Sequence, residues 1–184
     1  MKKLLMSAGL GTVLALAGTV GFAHDHDDGK FEIFAIMKPA NEVPSISSTA
    51  SATFTATVDE NAQTLTYELK YANLEAPPTQ AHIHFGQFFA NGGVSVFLCA
   101  NPDPVGPPVV VAPPGTAPCP TTNPATVSGT LTAANVIGPG AQGITTGEFA
   151  ALVKALKTGD AYANVHSKTF AGGEARGQVF VSHR

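Results

Sequence analysis

Over residues 51–71 the chain alternates apolar and polar side chains with a period of two, and this pattern constrains the fold more than any other feature. The alternation is interrupted once, by the turn sequence Asp59-Glu60-Asn61. The apolar set is Ala52, Phe54, Ala56, Val58, Leu65, Tyr67, Leu69 and Tyr71. Because successive side chains of a strand point to opposite faces, the pattern predicts an antiparallel hairpin with one buried and one wet face.

Short strand-like segments continue along the rest of the chain. They lie at residues 31–38, 81–86, 92–98, 125–138, 161–170 and 172–183. The chain also contains 19 glycines and 14 prolines but no tryptophan, which is typical of many short strands joined by turns. We therefore expect a mainly β protein.

One helix is predicted at about residues 146–157. Thr145 and Glu148 have the spacing of a capping box, and Gly159 is placed to end the helix in a left-handed conformation. The apolar stripe between them consists of Phe149, Leu152, Val153 and Leu156.

The first 23 residues have the parts of a secretory signal peptide: a start with two lysines, an apolar run and a small residue at Ala23. A membrane anchor is the alternative, but the run is short, rich in glycine and followed at once by charged residues. Cleavage would give a mature chain with a polar linker at residues 24–30 and one domain at 31–184. We expect a secreted or periplasmic protein with no membrane span after cleavage, because no other stretch is long enough to cross a bilayer.

The two cysteines, Cys99 and Cys119, bracket a proline-rich segment at residues 99–119. In an exported protein a disulfide is the expected state of such a pair, and it would close a surface loop. Free thiols that bind a metal are the alternative, although the pair lacks the C-x-x-C spacing.

Two histidines, His82 and His84, lie one residue apart in "AHIHFG" and would share one face of a strand. A third, His166, ends the strand-like segment "YANVH". Three imidazoles from two strands suit copper or zinc, but such a pair can also be two polar residues on a wet face. A weaker site would form at a new amino terminus, where His24 and His26 could bind Cu(II) or Ni(II) if cleavage follows Ala23. The alternative is a flexible acidic linker without a ligand.

Several function classes are not supported. The formal net charge is −3 and charged residues make up 12% of the chain, so no basic surface indicates nucleic-acid binding. The sequence motifs of serine hydrolases, zinc proteases and P-loop proteins do not occur.

Four pieces of the chain resemble the CHRD domain, first described in chordin and found in many exported bacterial proteins. They are "ANEVP", "AHIHFG" followed by "NGGVSVFL", "GEFAALVKALKTGDAYANVH" and "GGEARGQV". They occur in the family's order and cover about residues 31–181. The chain departs from the family in its cysteine-closed insertion, in "SKTFAGG", where the family usually has a proline before the glycines, and at Ala175, where the family usually has an aliphatic residue.

The resemblance implies an immunoglobulin-like, Greek-key β-sandwich, because the family has a limited similarity to Cu,Zn superoxide dismutases. By that similarity, His82, His84 and His166 would be copper ligands, and Arg176 would lie near them. The chain has no histidine cluster between His84 and His166 to supply the bridging ligand or the zinc site. We therefore expect no dismutase activity and no other enzymatic activity.

The resemblance favours a non-catalytic binding or interaction module whose partner is a protein or another extracellular ligand. A periplasmic copper-binding protein is the alternative, and a dismutase-like oxidoreductase is a marginal one. A purely structural role is also open, in which the histidines bond to Glu174, Asn164 or loop carbonyls. Glu42, Glu174 and Arg176 form a further candidate polar site, although the last two could simply make ion pairs on the surface.

Overall fold

The computed structural model describes residues 29–101 and 111–182. The predicted signal peptide, residues 24–28 of the predicted linker, His24 and His26 lie outside these ranges, as does part of the proline-rich loop. Within the described ranges, besides three short 3-10 helices, the strands and the α-helix are, in chain order, β1 Lys30–Met37, β2 Ser51–Asp59, β3 Thr64–Ala72, β4 Pro78–Phe85, β5 Gly93–Ala100, β6 Ala125–Thr132, α1 Phe149–Thr158, β7 Ala161–Ser167, β8 Ala175–Gln178 and β9 Phe180–Val181.

The strands form two antiparallel sheets that pack face to face as a β-sandwich, which confirms the predicted fold class. The first sheet has the strand order β6-β3-β2-β1-β9, and the second has the order β5-β4-β7-β8. The predicted hairpin is the pair β2–β3, and its apolar alternate side chains are all buried between the sheets. The period-two pattern therefore identified the core face of the first sheet correctly.

The last strand-like segment divides between the two sheets. Residues of β8 pair with β7 in the second sheet, whereas Phe180 and Val181 of β9 pair with β1 in the first. An isolated bridge between Lys38 and Arg176 joins the sheets at the same corner. The first strand and the last two strands of the domain therefore lie together at one side of the sandwich.

The helix α1 begins three residues later than predicted. Thr145 and Glu148 form only half of the predicted capping box. The Glu148 carboxylate accepts from the backbone N–H and the hydroxyl of Thr145, but the Glu148 N–H donates to the Thr145 carbonyl instead of its hydroxyl. However, Gly147 has φ +82°, which no helical residue can adopt, so the helix starts only at Phe149. It ends at Gly159 in the predicted left-handed conformation, with φ +75°. Among the described helices, none combines the length and the apolar character that a membrane crossing needs.

The proline-rich loop is closed by a disulfide between Cys99 and Cys119, as predicted. Cys99 is buried in β5, and Cys119 lies beside it at the end of the loop. The backbone N–H of Cys119 also donates to the Asn101 side chain, while the Asn101 amide donates to the carbonyls of Pro78 and Cys119. These bonds fix the loop against β4 and β5.

Candidate functional site

The candidate site lies on the outer face of the second sheet. Ala81 and Ile83 of β4 point into the core, so the neighbouring His82 and His84 point away from it. The same alternation in β7 and β8 turns further polar side chains outward, and we call the whole set the polar cluster. It consists of His82, His84, Tyr162, Asn164, His166, Arg176 and Gln178.

Although the polar cluster faces outward, most of it is shielded from water. His82 is 2% exposed, His84 8% and Asn164 3%, while His166 is partly buried. Segments 86–92 and 171–174 lie over the outer face and bond to these side chains. The polar side chains consequently act in a largely dry environment.

Two of the histidines have a fixed tautomer. The Nδ1 atom of His84 lies 2.9 Å from the Gly92 carbonyl oxygen, and Nδ1 of His166 lies 2.9 Å from the Ala171 carbonyl oxygen. A carbonyl oxygen can only accept, so both Nδ1 atoms carry the proton. In the neutral rings the Nε2 atoms then hold free electron pairs.

The rings are neutral at physiological pH. Burial, which outweighs the bonds to Gly92 and Asn164, lowers the pKa of His84 from 6.5 to about 4, with smaller contributions from the neighbouring His166 and Arg176. Burial, followed by the neighbouring imidazoles, lowers the pKa of His82 well below its usual value. Burial also lowers the pKa of His166. Neutral imidazole is the form that binds a metal ion.

The free nitrogens converge on one point. Nε2 of His84 lies 3.0 Å from the Asn164 Oδ1 atom, and Nε2 of His166 lies 3.1 Å from the same atom. Because Nε2 of His166 has a free pair, the His82 Nδ1–H at 3.2 Å donates to it. Nε2 of His82 is buried and has no hydrogen-bond partner among the described residues.

An acceptor oxygen facing the free pair of His84 is an unfavourable arrangement. A half-turn of the Asn164 carboxamide would satisfy this ring, because its NH₂ group would then donate to Nε2 of His84, whereas Nε2 of His166 already accepts from His82. A metal ion between the rings would satisfy the same nitrogen of His84. The cluster can therefore act as a hydrogen-bond network or as a ligand set.

His82, His84 and His166, which we call the histidine triad, have ligand nitrogens slightly farther apart than those of an occupied metal site. One ligand nitrogen from each residue lies within 4.8 Å of the others, and the closest pair is 3.2 Å apart. Metal–nitrogen bonds of about 2 Å place ligand nitrogens roughly 3–4 Å from one another. The nitrogens of His82 and His166 already have this separation. The three ligand nitrogens together would have to move closer by on the order of 1 Å to bind one ion.

Arg176 does not lie on the surface. It is 2% exposed, and its guanidinium carbon lies 3.5 Å from the centroid of the Tyr162 ring, which in turn stacks on His84 at 4.6 Å. Its N–H groups donate to Asn91 Oδ1 and to the carbonyls of Gln87 and Ala90. Arg176 therefore anchors segment 86–92 over the triad, and its burial rules out the alternative role in a surface ion pair.

The two candidate carboxylates are also buried. Oε1 of Glu174 accepts from the Ser48 hydroxyl at 2.7 Å and from the Glu75 N–H at 2.8 Å, so Glu174 does not bond to the histidines. Glu42 packs against Gly173, and its Oε1 atom has no hydrogen-bond partner among the described residues. Burial raises the pKa of Glu42 from 4.5 to about 8, although the Arg176 charge opposes this shift. Glu42 is thus largely protonated at neutral pH.

Sequence reasoning named seven residues of this region, among them Asn164 as an alternative bonding partner of the histidines, which the structure places next to His84 and His166, but it left out the roles of Tyr162 and Gln178. The amide of Gln178 donates to the carbonyls of Gly86 and Gly159. The signal was present, because "YANVH" and "EARGQ" alternate polar and small apolar residues with a period of two. Reading that alternation across three strands would have assembled the whole polar cluster.

Comparison with known proteins places this arrangement in a family. A search of curated proteins finds no match to the chain. The family model of the CHRD domain matches residues 33–179, a span that contains the histidine triad, Glu42, Glu174 and Arg176. The chain therefore belongs to the CHRD domain family.

Proposed function

We propose that the protein is an exported, non-catalytic binding protein whose histidine triad binds one transition-metal ion, with copper the first choice and zinc the second. One observation carries the proposal. Three imidazoles bring ligand nitrogens within 4.8 Å of one another in a buried site, and there the free pair on Nε2 of His84 faces the acceptor oxygen of Asn164. A buried free pair without a donor is costly, so an ion between the rings has a physical reason to bind.

The donor set favours copper. All three ligands are neutral nitrogens, and imidazole suits copper and zinc, with Cu²⁺ above Zn²⁺ in the general order of affinity. The carbonyls of Gly92 and Ala171 bond to the other nitrogen of two rings. Such contacts orient ligating histidines and increase their basicity.

Export is supported by the signal-like start of the chain, by the Cys99–Cys119 disulfide and by a family of extracellular type. The absence of catalysis is inferred from the sequence. The dismutase-like arrangement would need a bridging histidine and zinc ligands, and no histidine occurs between His84 and His166.

Calorimetric titration of the mature protein with Cu²⁺ and with Zn²⁺ tests the proposal. A His24→Ala/His26→Ala background removes the competing ligands near the amino terminus, and in it we expect one bound ion per chain. Adding His82→Ala/His84→Ala should abolish that site. The matched control, His183→Ala, removes an imidazole that is not in the triad and should leave the site intact.

Two results would overturn the proposal. One is a stoichiometric site that survives His82→Ala/His84→Ala in a variant with native circular dichroism. The other is complete loss of binding in the His24→Ala/His26→Ala background, which would assign the ligands to the amino terminus. If the double triad variant does not fold, Asn164→Asp provides a second test. It puts a carboxylate where the Asn164 oxygen meets two ring nitrogens, so it should tighten metal binding.

A further inference from the structure

A second feature lies on the opposite side of the sandwich, on the outer face of the first sheet. The outward-pointing side chains along β1 and the residue that follows it are Glu32, Phe34, Ile36 and Lys38. Phe34 is 38% exposed and Ile36 60% exposed. Neither side chain contributes to the buried core, whose β1 members are Ile33, Ala35 and Met37.

Three more phenylalanines extend this apolar surface. Phe180 of β9 pairs with Phe34, and their ring centroids are 6.0 Å apart. Phe88 lies 5.8 Å from Phe180 and also 5.8 Å from Phe89, which is 85% exposed. We call Phe34, Ile36, Phe88, Phe89 and Phe180 the aromatic patch.

The aromatic patch is held in place. Phe88 and Phe89 belong to the segment that Arg176 anchors through the carbonyls of Gln87 and Ala90. Phe89 has φ +60°, a conformation that costs a bulky residue about 1–3 kcal/mol and persists only where the surroundings enforce it. Two apolar rings are therefore presented to water by a segment with many fixed contacts.

The exposed area of the aromatic patch is comparable to that of a protein–protein contact surface. A fully buried phenylalanine contributes about 150–250 Å², so the exposed fractions of the five side chains amount to roughly 500 Å². This is near the upper end of the apolar patches of monomers, about 300–600 Å². With a polar rim it approaches the roughly 800 Å² per partner of a standard protein–protein interface.

The charges on β1 make this face complementary to itself. Along the strand the outward order is acidic, apolar, apolar, basic: Glu32, Phe34, Ile36, Lys38. A two-fold axis passing over Ala35 would place Glu32 against Lys38 of a second copy and Phe34 against its Ile36. A two-fold interface requires this kind of self-complementarity, and two sheets can pack face to face in this way.

We propose that the outer face of the first sheet is the contact surface of a homodimer, centred on β1 and the aromatic patch. The occupant of the patch is a second copy of this chain, in the antiparallel arrangement that the charge order specifies. This inference does not rest on the metal site: its contact surface is centred on β1 of the first sheet, although Phe88 and Phe89 belong to the segment that covers the triad.

Analytical ultracentrifugation of the mature protein over a concentration series tests it. We expect a reversible monomer–dimer equilibrium in wild type. Lys38→Glu alone and Glu32→Lys alone each put like charges together at two symmetric places, and each should raise the dissociation constant on the order of 10-fold. The control Lys168→Glu changes charge in the turn after β7 and should leave the constant unchanged.

Two combinations of these charge variants test the antiparallel arrangement of the two copies. The double swap Glu32→Lys/Lys38→Glu restores both opposite-charge pairs at the wild-type net charge, so the dissociation constant should return to the wild-type value. A mixture of the two single variants should form heterodimers more tightly than either variant forms homodimers. Wild-type protein that stays monomeric up to about 1 mM, a concentration corresponding to a very weak complex, would overturn the proposal. A dimer whose constant is insensitive to the charge reversals, or that the swap does not restore, would overturn it equally.

Discussion

Replacing Glu42 by glutamine should remove a loss of stability that we expect of the wild-type protein as the pH rises above neutral. Burial raises the pKa of Glu42 from 4.5 to about 8, so the folded protein keeps the proton over a range in which the unfolded chain has released it. The stabilising effect of this proton is complete below about pH 4.5 and disappears as the pH rises through about 8. Glu42→Gln cannot ionise and has no such dependence.

The magnitude follows from the shift. The pKa of Glu42 is 4.5 in the unfolded chain and about 8 in the folded protein. At about 1.4 kcal/mol per pKa unit, this difference changes the free energy of unfolding by about 5 kcal/mol in total. Linkage places about 1 kcal/mol of that change between about pH 7 and pH 9. This window isolates Glu42, because the pKa values of His82, His84 and His166 are all lowered and these rings are neutral throughout it.

Urea denaturation of the apoprotein at several pH values in this window gives the free energy of unfolding. Wild type should lose about 1 kcal/mol, Glu42→Gln should lose much less, and the control Glu68→Gln, which alters a carboxylate on the outer face of the first sheet, should behave as wild type. An equal decline in wild type and Glu42→Gln would refute the argument that this buried carboxyl is protonated at neutral pH.

Two further changes test the packing that supports the site. Gly173→Ala should lower the free energy of unfolding by about 3 kcal/mol in urea denaturation, because Gly173 has φ +131° and a Cβ atom there would lie 2.6 Å from Glu42 Oε1. Gly172→Ala, where a Cβ atom meets open space, should cost far less, and equal losses would contradict the reasoning. Cys99→Ala/Cys119→Ala should lower stability by about 3 kcal/mol relative to the oxidised wild type, because the bond closes a loop with a sequence separation of 20. If reductant left the denaturation midpoint of the wild-type protein unchanged, the disulfide would not have the stabilising effect that we expect.

The first sheet could be predicted well from the sequence because one of its faces is wet. In β2 and β3 every second residue is polar, so period two separates the core side from the solvent side without any knowledge of the partner strand. The helix could be predicted except for its start. Gly147 fits the helical pattern in sequence, and only its left-handed backbone excludes it.

The candidate site was predicted only in part. The spacing of His82 and His84 showed that they share a face, and the family resemblance added His166. Their burial could not be predicted, because the segments that cover them, 86–92 and 171–174, carry no local signal of where they fold. For the same reason surface ion pairs stayed an alternative role for Arg176 and Glu174, whereas both are buried beneath these long-range contacts.

Whether the three imidazoles bind one ion can be measured most directly by X-ray absorption at the copper edge. The sample is the mature protein in the His24→Ala/His26→Ala background, loaded with one equivalent of copper. The account predicts a first shell that contains three imidazole nitrogens at about 2 Å, and loss of this signature in His82→Ala/His84→Ala. A first shell of oxygen with one imidazole or none, or a spectrum that the triad substitutions leave unchanged, would contradict it.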